Sequence, residues 1–351
     1  MMKRRTSKQI CIGNVKIGGD APISVQSMCN TDTCDVEKTL YQLNEFADMG
    51  CEIARLAVLN SDAASAIKEI VKKSPLPLVA DIHFDYKLAI ECLNNGIHAL
   101  RLNPGNIGKR ENVEKVVKLA KINKTPIRIG VNAGSLEKEL IEADMPLSEK
   151  MVKSAMKHIQ ILEDLDFDLI KVSLKSSDVM TTINAYRSIA EKIPYALHLG
   201  VTEAGTMRQG LIKSSIGLGT LLAEGIGDTI RVSLTENPVE EVTAGFDILK
   251  AMNLRECGVK FVSCPTCGRT RIDLISLAKQ VEERFKDIKA PIIIATMGCV
   301  VNGPGEARHA DFGIAGGVGE GLVFKKGEIV AKVPESELLN KLEEIVRKSY
   351  E

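Results

Sequence analysis

The chain has 351 residues, 44% of them hydrophobic, with Lys+Arg and Asp+Glu balanced at 46 each. That length buries a sizeable core and allows about two domains, or one large barrel with an appendage. The charge balance gives no whole-chain attraction for nucleic acid or an anionic membrane surface, and no run of about 18 apolar residues is present to span a bilayer.

The start, Met1 to Ile10, is basic and polar with no apolar stretch behind it, which reads as a cytoplasmic chain. Next, Ile10 to Lys16 around Gly13-Asn14 reads as a small hairpin, a plug for a barrel floor. From Pro22 to about Leu254, short β-branched runs alternate with amphipathic segments. Strands are expected at 23–28, 53–58, 76–81, 99–103, 127–131, 169–174, 196–201 and 229–234. Helical patterns such as Val36, Leu40, Leu43 and Ala47, or Val152, Ala155, Ile159 and Leu162, lie between them behind Asp or Ser caps. Eight βα units in about 230 residues fit an α/β fold of the (β/α)8 TIM barrel kind better than a doubly wound sheet.

The rhythm breaks near Asn253 to Gly258, dividing a barrel domain over 1–256 from a smaller α/β domain over 257–351. The second domain is expected to hold a strand at 261–263, a helix from about Thr270 to Phe285, a strand at 291–296, a hairpin over 322–333 around Lys326-Gly327 and a closing helix from Glu335. The glycine run Gly313, Gly316, Gly317, Gly319 and Gly321 leads into a strand rather than a helix N-terminus, so tight turns suit it better than a nucleotide loop.

On the barrel strands one cation recurs between apolar neighbours: Arg55, Arg101, Arg128, Lys171 and Arg231. Side chains alternate along a strand, so Arg101 with Asn103, Lys171 with Ser173, and Arg231 with Ser233 each share a face. That face is the barrel axis, and the cations fall toward the carboxyl ends of their strands, where such barrels keep their active sites. Any single Arg or Lys reads more readily as a structural ion pair. Five convergent cations with only Asp81 and Glu203 nearby point instead to a polyanion, and arginine forks suit phosphate oxygens. Asp81, His83, Asn132, His198 and Glu203 belong to the same rim, each as a structural hydrogen bond or an acid-base group; His98 and His158 read as bystanders.

Nine cysteines without a secretion signal read as free thiols or metal ligands. Cys264, Cys267 and Cys299 form C-x2-C-x31-C. A zinc site with Cys257 as fourth ligand, a thioredoxin-like pair and inert buried thiols compete with an iron–sulfur cluster on three cysteines. The cluster explains all three at once. It leaves one iron without thiolate, and Glu306, seven residues past Cys299, is the candidate oxygen donor, exchangeable for a substrate oxygen.

Cys-Pro-Thr-Cys-Gly-Arg-Thr from Cys264, Met-Gly-Cys-Val-Val-Asn-Gly-Pro-Gly-Glu-Ala around Cys299, Arg-Leu-Asn-Pro-Gly-Asn from Arg101, Arg-Ile-Gly-Val-Asn-Ala-Gly-Ser from Arg128 and the segment His198 to Gly205 together resemble the bacterial 4-hydroxy-3-methylbut-2-enyl diphosphate synthase family of isoprenoid biosynthesis. The resemblance implies reductive ring opening of 2-C-methyl-D-erythritol 2,4-cyclodiphosphate by two electrons from reduced flavodoxin or ferredoxin. It implies a [4Fe-4S] cluster on Cys264, Cys267, Cys299 and Glu306, and diphosphate binding by Arg55, Arg101, Arg128, Asn132, Lys171, Arg231 and Ser233. Glu203 or displaced Glu306 would carry protons, and a homodimer would close one subunit's cluster domain on the other's barrel. The rival reading is a zinc-stabilised phosphate-binding barrel without redox activity.

Overall fold

Eight short runs of buried apolar residues, each followed by an amphipathic helix, close into a parallel barrel in the computed structural model, which describes residues 3–299 and 307–349. The chain divides into two units, Met1–Arg255 and Glu256–Glu351. A hairpin of β1 (Ile10–Ile12) and β2 (Val15–Ile17) opens the first. The barrel strands follow: β3 (Ser24–Met28), β4 (Ile53–Ala57), β5 (Leu78–Asp81), β6 (Ala99–Arg101), β7 (Ile127–Asn132), β8 (Ile170–Lys175), β9 (Ala196–Leu199) and β10 (Thr229–Ile230). They pair in sequence, and β10 closes the ring between β9 and β3.

The helices are α1 (Val36–Asp48), α2 (Ser61–Lys73), α3 (Tyr86–Asn94), α4 (Arg110–Asn123), α5 (Lys138–Glu142), α6 (Leu147–Glu163), α7 (Val179–Ala190), α8 (Met207–Ala223) and α9 (Pro238–Ala251). Several begin where a short polar side chain takes up an otherwise unpaired amide: Asp35 accepts from the Lys38 N–H, Asn60 from Ala63, Asp178 from Thr181 and Asn237 from Val239. Their apolar stripes pack on the outward strand residues, so every second strand position is left to face the axis.

The hairpin plugs the floor. Ile10, Ile12 and Ile17 are buried against Ile53, Val79, Ala99 and Ala196, which stand at or next to the amino ends of four strands. The last strand stops at Ile230, short of the expected 229–234. The Arg231 amide still donates to the Leu199 carbonyl, but three residues on the Leu234 amide turns to the Glu241 carboxylate instead of a neighbouring strand.

In the second unit β11 (Lys260–Ser263), β12 (Ile293–Met297) and β13 (Phe312–Gly316) run parallel, and β14 (Glu320–Lys325) and β15 (Glu328–Pro334) complete the sheet antiparallel. Helices α10 (Leu274–Phe285) and α11 (Leu338–Arg347) cover one face through Val281, Phe285, Leu338, Leu342 and Val346. Helix α10 begins later than Thr270 because Asp273 caps it, accepting from the Ser276 amide.

The glycine run corrects the tight-turn reading, which holds only around Gly319, at φ +74°. Gly313 and Gly316 are inside β13 and Gly321 inside β14. A Cβ on Gly316 would stand 2.5 Å from Ile272 Cδ1, one on Gly321 2.7 Å from Leu338 Cδ1, and one on Gly313 would enter the Phe324 ring. These glycines leave room for neighbouring side chains to cross the sheet. No helix among the described residues is long and apolar enough to cross a membrane.

Candidate active site

At the carboxyl ends of the barrel strands lies a cavity of about 210 Å³. Arg55 of β4, Arg101 of β6, Arg128 and Asn132 of β7, and Arg231 and Ser233 beyond β10 line it, as do Ser173 and Lys175 of β8. Asp81, His83 and Thr202 complete the wall. Six of the seven residues expected to bind diphosphate therefore face one cavity. Lys171 does not. It sits one inward step below Ser173, 1% exposed, and its Nζ has no hydrogen-bond partner among the described residues.

Two carboxylates serve the five cations of the wall. Asp81 Oδ1 accepts from Arg101 Nη1 at 3.1 Å, and its Oδ2 is 3.6 Å from Arg55 Nε. Burial pushes the Asp81 carboxyl up, yet Arg55, Arg101 and Arg128 together hold it below the usual range. Glu241, buried on α9, accepts from Arg231 Nε at 3.1 Å and also takes the Ser27 hydroxyl and the Leu234 amide. Arg128 Nη1 donates to Ser173 Oγ at 2.9 Å, and Arg101 Nη2 donates to the Gly130 carbonyl at 2.9 Å. Burial, more than any neighbour, pushes the Arg55 guanidinium down to about 10. The wall keeps an excess of positive charge.

Glu203 follows Thr202 in the loop after β9, exposed and at φ +51°, a left-handed conformation uncommon for glutamate. It does not line the cavity. Lys175 and Glu241 were missed from the sequence. Lys175 carries the period-two signal of Lys171 and Ser173 one step further, so it was findable; Glu241 lies on a helix, where strand alternation is silent.

In the second unit, Ser263 pairs with Thr296, so Cys264 and Cys299 follow the carboxyl ends of adjacent parallel strands. Cys264 Sγ accepts from the Gly298 amide at 3.1 Å, within an apolar bed that includes Met297, Ala307 and Phe324. Cys267 is exposed, its thiol pushed down first by the Arg269 amide and then by the Arg269 side chain. Cys257 lies before the opposite, amino end of β11. Among the described residues no group of three or more His, Cys, Asp or Glu side chains is disposed to hold a metal ion. Glu306 lies outside the described residues. Soft sulfur donors, an N–H aimed at sulfur and an apolar shell suit an iron–sulfur group.

The family model described as GcpE TIM-barrel domain matches residues 7–246, and that described as GcpE protein C-terminal domain matches 260–348. A protein of Geobacter sulfurreducens named 4-hydroxy-3-methylbut-2-en-1-yl diphosphate synthase (flavodoxin) is 60% identical over 342 residues, 97% of each chain. A Clostridium perfringens protein of the same name is 58% identical over 346 residues, 98% of this chain and 99% of its own. Among solved structures, dihydropteroate synthase from Xanthomonas albilineans in complex with 7,8-dihydropteroate aligns over 70% of this chain and 98% of its own, with TM-score 0.51 and 13% identity, a likeness of barrel fold alone. Two family models that together cover nearly the whole chain, and relatives near 60% identity end to end, establish that the chain belongs to the GcpE family, that of the 4-hydroxy-3-methylbut-2-en-1-yl diphosphate synthases.

Proposed function

We propose that this chain is an iron–sulfur oxidoreductase that converts 2-C-methyl-D-erythritol 2,4-cyclodiphosphate to 4-hydroxy-3-methylbut-2-enyl diphosphate and water, working as a cytoplasmic homodimer. Electrons come from reduced flavodoxin, the donor in the relatives' name, or from ferredoxin. The observation that carries the reading is the cavity wall, where Arg55, Arg101, Arg128 and Arg231 face one space beside Lys175, with only Asp81 and Glu241 among the described residues to balance the four guanidiniums. A diphosphate supplies the missing charge, and arginine forks grip its oxygens in pairs.

Cys264, Cys267 and Cys299, with Glu306, would hold a [4Fe-4S] cluster. When bound, it supplies electrons singly and one iron whose carboxylate ligand is exchangeable. The protein's own groups do the rest. The arginines and Lys175 fix the diphosphate, Asn132 and Ser233 add neutral hydrogen bonds, and Lys171 supports the anion from beneath. Glu203, exposed beside Thr202, carries protons at the mouth. One carbon–oxygen bond breaks to open the ring, leaving its oxygen on the diphosphate; a second releases oxygen as water. Two electrons form the new double bond and two protons balance the oxygens.

Anaerobic turnover of the cyclic diphosphate with a strong one-electron reductant tests the reading. Brown protein containing iron and sulfide should form the linear diphosphate, whereas a colourless zinc protein without turnover would overturn it. In the same preparation Cys264→Ser should lose its iron and Cys257→Ser should keep it.

A further inference from the structure

Burying many cations together forces some of them to give up charge, and the side chains differ in which can yield. A guanidinium holds its proton in proteins, whereas a buried ammonium loses its proton readily. The barrel interior packs four arginines, Arg55, Arg101, Arg128 and Arg231, with two lysines, Lys175 on the cavity wall and Lys171 one inward step deeper. Inside this set the lysines are the adjustable members.

Their surroundings are cationic on nearly every side. Lys171 of β8 faces Arg128 of β7, Arg55 of β4 and His198 of β9. Asp228, the carboxylate that favours the Lys171 ammonium, is already engaged by Arg4, Ser7 and the Leu197 amide. Lys171 Nζ has no hydrogen-bond partner among the described residues, nor has either ring nitrogen of His198. Lys175 faces Arg231, Arg128 and Arg55, and Glu241, the carboxylate that favours its ammonium, is held by Arg231. It is 6% exposed and packed so closely over Gly200 that a Cβ there would lie 2.5 Å from its Nζ. Asp81, the other carboxylate, is divided between Arg55 and Arg101. Among the described residues no free counter-charge remains for either lysine.

We propose that Lys171 and Lys175 are charge-adjusting groups of the substrate site: neutral in the empty barrel, they take up one proton between them when a diphosphate seats above them. The inference rests on the proposed function, since it needs an anion in this cavity. Ser173 lines the cavity between them, so an anion held there is about 7 Å of strand from each lysine position, near enough for its charge to restore an ammonium in a medium that screens weakly. Burial pushes both ammonium groups down first, and Arg128 or Arg231 adds to it, as the geometry requires. His198, buried among the same cations, is held neutral by the same causes.

Proton uptake fixes the direction of the pH dependence. A group protonated more firmly in the complex than in the free protein makes binding tighter as pH falls and weaker as it rises. Each phosphorus of the cyclic diphosphate carries a single, strongly acidic hydroxyl, so the ligand does not titrate near neutrality. His83 and Asp81 also face the cavity from the loop after β5 and from β5 itself.

The experiment is calorimetric titration of the cyclic diphosphate into oxidised holoprotein without reductant, so that nothing turns over, between about pH 7 and 9 in buffers of different ionisation heat. Wild type should take up about one proton per ligand, and its Kd should weaken about tenfold per pH unit. In the Lys171→Arg/Lys175→Arg protein, whose side chains stay charged, the slope should fall to about twofold or less. A Kd independent of pH in wild type overturns the inference with no variant needed. So does a double variant that binds with the full wild-type slope, and if that variant fails to fold, the single Lys171→Met protein must lose part of the slope. Absence of any binding heat in wild type would instead overturn the proposed function itself.

Discussion

Asp81 carries two arginines on one carboxylate. Its oxygens stand 3.1 Å from Arg101 Nη1 and 3.6 Å from Arg55 Nε, and the group is 4% exposed. Asp81→Asn should therefore strand two buried guanidiniums and cost about 3–5 kcal/mol, read from urea unfolding at neutral pH. The carboxyl is held below its ordinary value, so its stabilisation is complete at neutral pH and fades as the solution is acidified through that lowered value. Acidification should thus destabilise the wild type more than the variant. Alternation along β8 made Lys171 and Ser173 legible as one face, but not their order of depth. Only the closed ring shows that Ser173 and Lys175 meet the cavity while Lys171 lies below.

At the scale of elements, the barrel was readable because most strands are short and apolar and are followed by amphipathic helices, several of them capped, so local period and tertiary position agree. The hairpin around Gly13-Asn14 was readable for the same reason, both positions of the turn announcing themselves. Strand β13 was not. Phe-Gly-Ile-Ala-Gly is poor in β-branched residues, and its glycines, which signal turns in isolation, are there because Phe324 and Ile272 occupy the space above them. Gly313→Ala should destabilise the second unit by about 1–3 kcal/mol or more through overpacking against the Phe324 ring, measured as a lower melting transition of that unit.

At the scale of the molecule, two units carry separate sets of side chains: a cation-lined cavity in a barrel and thiols beside a five-stranded sheet. Composition bounded this division, and the break in βα rhythm near Asn253 marked it. The nearness of the two thiols of the second unit was not legible from local period, because Cys264 and Cys299 are brought together by the pairing of β11 with β12.

The plugged floor has a kinetic consequence. Because Ile10, Ile12 and Ile17 seal the amino end of the barrel, the cradle is a blind alley, and whatever enters must leave by the same mouth. Under the proposed function the linear diphosphate formed there bears the same anionic handle as the compound it replaces, so departure and arrival contend for one doorway. Added product should raise the apparent KM for the cyclic diphosphate while leaving kcat unchanged, and inhibition that lowers kcat at saturating substrate would require a second way out.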